Sequence, residues 1–528
     1  MSKLDTLFTN AVFHPMTGET DVFTYLGVKN GRIAYTGNTP PHEAVKHTVD
    51  FGGRHVYPAM TDSHLHLLYS IAEALTVNVG EITNAGVKPD TLNGVREKLA
   101  ERERTLKPQK CLIGMGCIPS ALKEGRLPDC DMLKSWFPGR KVLIITIDGH
   151  SCAMSREMMR AMGIEDGNGI LTGEAFDRRL GQIFSVISGE LSLGALLRST
   201  AAFTNACASW GILRICALDG NADDARDVPT RLALWLARRL PIDVRLFIQY
   251  TDVKRADKLK RVQRTPRIGG CGQWETDGAT GTHSAAYSMP YIDTGSSHKP
   301  YYTKEELAAM VKAADDAGYA ISAHAIGDAA IDSLIDALYA LPDSGRMLRI
   351  DHFEIPSAHA VALANNRLAI AVQPGYSWID KRYLHSYEKY LPRELIDMQL
   401  PLKKLMDKGV CVCGSSDSPV QPPDPFLQML GMRQFFVEAQ SLSAYEALLT
   451  YTANPAKMLG EQSDWGTLEP GKSADFFTMR ENLLDIPAEA LAGRRAEALY
   501  VSGRPFKRLP QKTWRIFARI IFSKAKKI

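Results

Sequence analysis

The chain has 528 residues, of which 45% are hydrophobic and 23% charged, and its formal net charge is +4 at pH 7. These values are typical of a soluble globular protein with a sizeable core, and the small net charge argues against a nucleic-acid partner. Nine cysteines lie at irregular spacings, which indicates reduced thiols and no disulfide framework. The first residues lack the apolar run of a signal peptide, and no segment reaches the roughly 20 apolar residues of a membrane span. We therefore expect a cytoplasmic protein.

Both ends of the chain show patterns typical of short strands. Residues 23–28 form a strand-like run, Asn30-Gly31 is a strong hairpin signal, and residues 33–37 continue as a returning strand. Similar runs come late in the chain, at residues 474–479 and 498–505. We therefore predict one small β-domain that both chain ends build together.

The central part of the chain alternates strand-like and helical patterns. Apolar runs that predict strands lie at residues 212–218, 244–248, 320–324, 348–352, 368–372 and 410–414. Helices between them begin at capping boxes, Thr303 with Glu306 and Ser443 with Glu446. The alternation predicts a parallel α/β fold, and about eight units indicate a closed barrel. A doubly wound open sheet is the alternative, but no G-x-G-x-x-G motif follows an early strand.

These patterns divide the chain into domains. We expect a (β/α)8 barrel domain at residues 58–464, with a largely helical insertion at about 70–205. A small β-sandwich domain is expected from residues 1–57 and 465–508, and residues 509–528 form a basic amphipathic tail. The insertion follows the first barrel strand, so we expect it to cover the mouth of the barrel.

Histidine and aspartate side chains stand at the ends of the predicted strands. His64 and His66 follow the first strand, His324 and His352 follow two middle strands, and Asp417 follows the last. Residues i and i+2 of a strand point to the same face, so His64 and His66 can bind one cation together. In a barrel all these strand ends meet at one mouth. Each residue alone is explained as well by core packing or helix capping, but the five together predict a divalent transition-metal site.

Several motifs occur in an order that is far more specific than any one of them. They are Asp62-Ser63-His64-Leu65-His66, Asp148-Gly149-His150-Ser151, Gly169-Ile170-Leu171-Thr172-Gly173-Glu174, His324-Ala325-Ile326-Gly327-Asp328, Gln373-Pro374, Gly414-Ser415-Ser416-Asp417-Ser418-Pro419-Val420 and Leu468-Glu469-Pro470-Gly471-Lys472-Ser473-Ala474-Asp475. Over nearly the whole chain, this order resembles the metal-dependent amidohydrolases, and most of all amidohydrolase family 3 in its branch similar to N-substituted formamide deformylases. The resemblance implies a βα barrel with a β-sandwich formed by both termini.

One position departs from the family pattern. The family carries a lysine four residues before the Asp-Gly of the segment Asp277-Gly278, carbamylated so that it bridges two metals. Gln273 stands there in this chain, and a neutral amide cannot bridge two cations. Strand alternation would place Gln273, Glu275 and Asp277 on one face, which makes Glu275 an alternative ligand. We favour a single metal ion, with zinc as the first expectation and iron or manganese as alternatives.

The resemblance and the ligand types together assign roles. We predict His64, His66, His324 and Asp417 as the metal ligands. Asp417 is also expected to take a proton from the activated water and pass it to the leaving nitrogen, while His352 polarises the carbonyl or orients the water. The expected reaction is hydrolysis of an amide-like C–N bond in a small molecule.

Five residues are predicted to contact the substrate: Gln273, His150, Glu174, His283 and Trp378. Gln273 can both donate and accept hydrogen bonds, as reading a heterocycle requires. His150 and Glu174 lie in family-like motifs of the insertion, where a structural hydrogen-bonding role explains them equally well. His283 replaces a usual arginine, and Trp378 follows the seventh strand, where core packing is the alternative.

Two other functions are consistent with the sequence. A mononuclear deaminase acting on a heterocyclic amidine would also lack the lysine and would release ammonia. A non-catalytic binding or assembly module would be marked by lost ligands, and only the lysine is missing, so we rank this third.

The C-terminal tail carries Trp514, Phe517 and Ile521 at helical spacing, with lysine and arginine nearby. This pattern is typical of an interfacial helix in weak contact with a membrane surface. A helix packed on the barrel, or on a second subunit of a homo-oligomer, is the favoured alternative.

Overall fold

A computed structural model describes residues 3–73, 76–83, 86–190, 192–220 and 228–528. The chain begins with four strands, β1 (Leu4–Phe13), β2 (Tyr25–Lys29), β3 (Arg32–Gly37) and β4 (Val45–Pro58). Between β2 and β3, Asn30 and Gly31 both adopt positive φ, 52° and 77°, which is the turn that an Asn-Gly hairpin favours. The predicted hairpin is therefore present.

The first barrel strand, β5 (Met60–Leu65), leads through helix α1 (Leu67–Ala72) into the insertion. The strands of the insertion are β6 (Val77–Asn78), β7 (Glu81–Thr83), β8 (Gly86–Lys88), β9 (Leu112–Cys117), β10 (Val142–Thr146), β11 (Ser151–Met154) and β12 (Ile170–Thr172). Its helices are α2 (Leu92–Glu103), α3 (Cys130–Trp136), α4 (Arg156–Ala161), α5 (Glu174–Asp177) and α6 (Leu180–Gly189).

The insertion is not largely helical, contrary to the sequence-based expectation. Five of its strands form one sheet in the order β12-β11-β10-β9-β6. The centre of that sheet, β10, has all five residues buried, and it lies between two apolar clusters. Short runs such as 142–146 are too brief to reveal by periodicity whether they are strands or helices, and burial on both faces decides the outcome.

The remaining seven barrel strands are β13 (Ile212–Asp219), β14 (Asp243–Ile248), β15 (Arg267–Glu275), β16 (Ala320–Ala325), β17 (Leu348–His352), β18 (Leu368–Val372) and β19 (Cys411–Gly414). With β5 they form an eight-stranded parallel sheet in the order β19-β18-β17-β16-β15-β14-β13-β5. Strands buried on both faces read as continuous apolar runs, which is why the sequence revealed most of them. The predicted α/β barrel with a β-domain from both termini is confirmed.

Helices lie between and after the barrel strands along the chain: α7 (Leu193–Ser209), α8 (Val228–Ala237), α9 (Val253–Asp257), α10 (Lys304–Asp316), α11 (Asp328–Tyr339), α12 (Ala358–Leu363), α13 (Pro374–Ile379), α14 (Ser386–Tyr390), α15 (Arg393–Ile396), α16 (Leu402–Asp407), α17 (Pro425–Arg433), α18 (Ala444–Leu449) and α19 (Ala453–Met458). Both predicted capping boxes are formed. Thr303 and Glu306 cap α10, and Ser443 and Glu446 cap α18.

The chain returns to the terminal sheet with β20 (Phe476–Met479), β21 (Ala498–Val501) and β22 (Arg504–Pro505). Together with β1–β4 they form seven strands in the order β22-β21-β20-β4-β1-β2-β3. Its core is aromatic: the Phe8 ring stacks on Phe51 at 5.1 Å and meets Phe476 edge-on at 5.2 Å. Because β4 runs directly into β5, this sheet is fixed to the start of the barrel.

Hydrogen bonds at the strand ends close the barrel between its first and last strands. The Asp417 amide donates to the carbonyl oxygen of His64 at 2.9 Å, and the His66 amide donates to that of Ser418 at 2.8 Å. The Ser416 amide also donates to the Asp62 carboxylate at 3.1 Å. Three of the predicted site residues are therefore fixed by the closure of the barrel.

The fourth barrel strand is interrupted by a bulge. Its ladder with β16 pairs Gly270 with Ala323 and resumes only at Glu275 with His324. Gly269 and Gly270 have φ of 107° and 114°, and a Cβ on Gly269 would lie 1.9 Å from the carbonyl oxygen of Ser322. Only glycine fits there, so the local sequence forces residues 271–274 out of the regular ladder.

The C-terminal segment forms helix α20 (Thr513–Ile521), which packs on α7 through Ile516 and Ile520. Beyond it, Lys526 forms an ion pair with Asp243 at 2.9 Å, and Ile528 is buried. The favoured prediction, a helix packed on the barrel, is consistent with this arrangement. None of the helices in the described ranges combines the length and apolar character that crossing a bilayer requires.

A buried ion cluster at Glu461 ties the loop after α19 to the barrel. The Glu461 carboxylate accepts hydrogen bonds from Arg245 at 2.7 Å, from Arg267 at 2.9 Å and from the Trp465 indole at 2.8 Å. Both arginines are buried, so loss of this carboxylate leaves two cations in the interior without their partner.

We predict that Glu461→Ala lowers the free energy of unfolding by about 3–5 kcal/mol, because it strands these buried guanidinium groups. Asp464→Ala is the matched control, since its ion pair with Arg32 is exposed and such pairs contribute about 1 kcal/mol or less. Urea denaturation followed by circular dichroism measures both. Equal losses in the two variants would contradict the assignment of Glu461 as a buried structural ion.

Candidate metal centre

His64, His66 and Asp417 bring their donor atoms together where the barrel closes. The Asp417 Oδ1 atom lies 3.3 Å from His64 Nε2 and 3.2 Å from His66 Nε2. His64 lies in β5, His66 directly follows it and Asp417 follows β19, so the contact unites the first and last strands of the barrel. All donor atoms of this group lie within 4.8 Å of one another.

A second group shares His64 with the first. His64, Cys271 and His352 also have donor atoms within 4.8 Å of one another. The Cys271 sulfur lies 3.8 Å from Nε2 of both His64 and His66, and the His352 ring centroid lies 4.8 Å from that of His64. His352, predicted to act on the substrate, thus stands close enough to be a ligand.

His324 lies beside these groups without joining either. Its ring centroid is 4.4 Å from that of His352 and 5.3 Å from that of His150. Both of its ring nitrogens are buried and lack a hydrogen-bond partner in the described structure. The four predicted ligands therefore do not form one compact cluster, and the role of His324 as a ligand stays a prediction.

The Nδ1 atoms of the histidines face acceptors on the side away from the cavity. His66 Nδ1 lies 3.0 Å from the carbonyl oxygen of Leu218, and His352 Nδ1 lies 2.9 Å from the side-chain oxygen of Gln373. The nearest acceptor to His64 Nδ1 is Asp351, at 3.5 Å. Metal-bound histidines are usually held in this way, with Nδ1 on a second partner and Nε2 free for the ion.

The charges of these groups depend on one another. Burial opposes protonation of His64, but Asp351 and Asp417 outweigh it and raise its pKa to about 9. Burial also opposes ionisation of Asp417, yet His64 and His66 hold its pKa well below its usual range. Burial and the charge of His64 lower the pKa of His352 to about 4, so this imidazole is neutral at pH 7.

These residues fit a divalent cation. The set offers imidazole nitrogens and a carboxylate oxygen, which are ligands typical of zinc and related ions. The Oδ1 atom of Asp417 is buried without a hydrogen-bond partner beside Nε2 of His64 and His66. Buried polar atoms normally have a partner, and an ion bound between these three atoms would supply it.

A cluster of ionisable groups lies on the other side of His324. His150 Nδ1 lies 2.9 Å from Asp177, which also accepts a hydrogen bond from Tyr301 at 2.9 Å. Glu275 approaches the same group, and burial and the neighbouring Asp177 raise its pKa well above its usual range. Burial disfavours a charged His150, but Asp177 outweighs it and raises the pKa of His150 to about 10.

A cavity of about 950 Å³ opens above the strand ends, roofed by the insertion. His66, His324, His352 and Asp417 line its floor. Apolar side chains line much of the wall: Ile145, Phe176, Phe203, Trp378, Leu427 and Leu430. The volume suits a drug-sized molecule rather than a macromolecule.

The predicted substrate-contacting residues divide into two sets. His150 and Trp378 line the cavity. Glu174 is exposed and forms an ion pair with Arg178, and His283 pairs with Asp293 at 2.8 Å. Neither Glu174 nor His283 is among the described residues that line this cavity.

Gln273 does not share a face with Glu275, so the expected alternation is wrong here. The Gln273 side chain accepts a hydrogen bond from Thr251 at 2.9 Å, whereas Cys271 and Glu275 line the cavity. The bulge of β15 breaks the two-residue period on which the expectation rested.

Sequence reasoning missed Cys271, Asp351 and Asp177 as parts of the site. The glycines around Cys271 were a usable signal, because glycine inside a strand often marks a bulge or a close approach. Asp351 precedes His352 on a buried strand, and no sequence motif distinguished it from an ordinary strand residue. Asp177 lies in a short helix of the insertion, and only the tertiary structure brings it to His150.

These features define a class: a βα barrel whose strand ends bring histidine and aspartate side chains together beneath a cavity of small-molecule size. Residues 47–506 match the Amidohydrolase family, and the chain belongs to that family of metal-dependent hydrolases. The family recognised from the sequence motifs is confirmed.

Two curated relatives cover most of the chain. The putative amidohydrolase YtcJ of Bacillus subtilis is 24% identical over 82% of this chain and 85% of its own length. The N-substituted formamide deformylase of Arthrobacter pascens is 23% identical over 90% of this chain and 93% of its own length.

Solved structures share the fold. An uncharacterized metal-dependent hydrolase from Pyrococcus horikoshii has a TM-score of 0.68 at 21% identity, covering 92% of this chain and 99% of that one. An adenosine deaminase from Xanthomonas campestris with bound zinc has a TM-score of 0.54 at 13% identity, covering 98% of this chain and 97% of that one.

We predict that His66→Ala weakens metal binding by more than about 100-fold, because it removes a ligand. Loss of a residue that only hydrogen-bonds to a ligand costs roughly 10–100-fold. Bound metal and affinity are measured by elemental analysis and by competition with a chelating dye. His283→Ala is the control, because this histidine pairs with Asp293 away from the cavity, and it should retain the metal content of the parent protein. Unchanged affinity in His66→Ala would exclude it as a ligand.

Proposed function

We propose that this protein hydrolyses an amide-like C–N bond in a small molecule, using water activated by a divalent metal ion. The observation that carries the proposal is the contact of the buried His64 with His66 and Asp417, two residues that line the floor of the cavity. Relatives support the type of bond, because one is named a formamide deformylase and the other a putative amidohydrolase.

We assign a separate role in the reaction to each group around the floor of the cavity. A bound divalent cation supplies Lewis acidity and lowers the pKa of nearby water toward neutrality. Asp417 stays ionised beside two imidazoles, so its carboxylate is the base that accepts a proton and later returns it to the leaving nitrogen. His352, neutral and donating through Nδ1 to Gln373, presents an unprotonated Nε2 that accepts a hydrogen bond from the attacking water and orients it.

A protonated His150 stands on the opposite side of His324. Its Nδ1 is bound to Asp177, which leaves Nε2–H as a donor for a carbonyl oxygen on which negative charge develops. The proposed pocket therefore has a base on one side and a charged hydrogen-bond donor on the other.

The charge of the cavity limits the substrate class. The described lining contains Glu73, Glu81, Asp148 and Asp424, and it includes neither lysine nor arginine. A cavity with acidic walls repels anions. We therefore propose an uncharged or cationic substrate whose apolar part lies against the aromatic wall.

We predict that Asp417→Asn lowers kcat by about 10²–10⁴-fold, because an amide cannot accept the proton. Asp293→Asn is the control, since Asp293 lies at the surface beside His283. Elemental analysis of each variant separates loss of the base from loss of metal. An Asp417→Asn variant that keeps both its metal and full activity would exclude Asp417 as the proton carrier.

We predict faster turnover of neutral aryl-alkyl amides and formamides than of matched amides that carry a carboxylate, by roughly tenfold or more. Release of an amine and an acid is followed by chromatography, and ammonia is assayed in parallel with heterocyclic amidines. Ammonia as the only product would favour the deaminase. Inactivity of a fully metal-loaded protein toward all of these compounds would favour the binding module.

A further inference from the structure

The fourth barrel strand presents a sulfur atom to the candidate metal centre. All nine cysteines are free and buried, but among the described residues Cys271 alone joins a candidate ligand group. Its Sγ atom lies 3.8 Å from both His64 Nε2 and His66 Nε2. The β15 bulge aims this sulfur into the site and turns the neighbouring Gln273 toward Thr251.

We propose that the Cys271 thiolate is a ligand of the bound metal ion, supplied by the strand on which Gln273 replaces the lysine of the family pattern. This inference rests on the metal-dependent function proposed above. It adds a soft ligand to an otherwise nitrogen and oxygen site, and it names a residue that no family motif identified.

The distances from the sulfur to the two histidines, and from Asp417 to the same histidines, are close to those of a tetrahedral zinc site, although Cys271 and Asp417 themselves belong to separate candidate groups. Zinc binds sulfur at about 2.3 Å and imidazole nitrogen at about 2.0–2.1 Å, so tetrahedral angles put the sulfur about 3.5 Å from each nitrogen. The observed 3.8 Å requires only a small contraction around the ion. The same geometry puts the ligand nitrogens and oxygens about 3.4 Å apart, close to the 3.2 Å and 3.3 Å between Asp417 and the histidines.

The charge of the site also favours a thiolate. A carbamylated lysine would contribute a negative charge, which neutral Gln273 cannot replace. Glu275 is a poor substitute, because its carboxylate groups with His150 and Asp177 rather than with His64, His66 and Asp417, and burial and Asp177 raise its pKa well above its usual range. A cation deprotonates a coordinating thiol, so Cys271 can restore the missing negative charge next to the ion.

The decisive measurement uses the unaltered protein. Zinc-loaded protein with one equivalent of metal should show a sulfur scatterer at about 2.3 Å in X-ray absorption. Cobalt-loaded protein should show a thiolate charge-transfer band in the near ultraviolet. A first shell of nitrogen and oxygen only, without that band, would overturn the proposal whatever any variant does.

Variants assign the sulfur to its residue. Cys271→Ser should lose the charge-transfer band and bind zinc at least tenfold more weakly. Cys413→Ser is the matched control, because Cys413 is equally buried on barrel strand β19 and joins no candidate ligand group among the described residues. A band that survives in Cys271→Ser, or that disappears in Cys413→Ser, would contradict the assignment.

Spectroscopy separates this proposal from the proposed reaction. A sulfur ligand in a protein that hydrolyses none of the amides would leave the ligand assignment standing and remove the function. Amide hydrolysis by a protein whose zinc has no sulfur ligand would do the reverse.

The C-terminal segment carries a second, independent feature. One face of α20 is covered by α7, while the other exposes Trp514 by 65% and Phe517 by 41%, and Phe522 beyond the helix is 84% exposed. Trp514 is the only exposed tryptophan of the seven in the chain. Residues 507–528 contain eight lysines and arginines and no acidic residue, and the matched family region ends at residue 506.

We infer that this exposed face of α20 binds the surface of an anionic lipid bilayer. The inner face already has its partner in α7, and the outer aromatic residues are not part of the apolar cluster that joins the two helices. Aromatic side chains flanked by basic residues insert at the lipid interface, and the cations favour anionic headgroups.

Vesicle sedimentation tests this surface. The protein should bind phosphatidylcholine vesicles that contain phosphatidylserine and dissociate from them at high salt. It should not bind vesicles of phosphatidylcholine alone. The triple variant W514S/F517S/F522S should bind roughly tenfold or more weakly. The control V22S/I292S removes exposed apolar residues elsewhere and should bind normally. Absence of binding to both vesicles, or a dimer that the triple variant dissociates, would overturn the inference.

Discussion

The contact between the end of β5 and the loop after β19 closes the barrel and assembles the candidate ligands in the same step. The amide of Asp417 is bonded to the carbonyl of His64, and the amide of His66 to the carbonyl of Ser418. A barrel that opened between these strands would separate the histidines from the aspartate. The geometry of the site is therefore set by backbone hydrogen bonds, not by flexible side chains, and this is the condition for a preorganised centre.

Charges below the floor support this contact from inside the barrel. Asp351 lies 3.5 Å from His64 Nδ1 and accepts a hydrogen bond from Arg349 at 2.8 Å. Arg349 also donates to the carbonyl oxygen of Ser63 at 2.7 Å, which fixes the backbone next to His64. Burial opposes ionisation of Asp351, but Arg349 and His64 outweigh it and keep its pKa well below its usual range. Strand β5, which contains His64, is thus held both by the closing hydrogen bonds and by this buried ion pair.

The sequence predicted the barrel because its parallel strands are buried on both faces and read as apolar runs between capped helices. It also predicted that His64, His66 and Asp417 lie close together, since strand ends in a barrel converge on one mouth, whereas His324, expected as a fourth ligand, lies beside this group. It failed where local backbone geometry departs from the ideal period. Gln273 was expected to face the cavity by alternation, and the bulge of β15 turns it to Thr251 instead. The strands of the insertion and the pairing of Asp177 with His150 depend on tertiary contacts that no local pattern encodes.

The glycines of β15 have a consequence for how this site can change. Residues 271–274 stand outside the hydrogen-bonded ladder, while Arg267, Ile268, Gly269 and Gly270 remain paired with β16. Cys271 and Gln273 lie in this looped segment, so a substitution at either position leaves the residues paired with β16 unchanged, whereas Trp274 is buried in the core. The residues of β15 that can supply a metal ligand are therefore different from the residues that pair this strand with β16. One short stretch of chain thus allows a barrel of constant architecture to acquire a different set of electron donors.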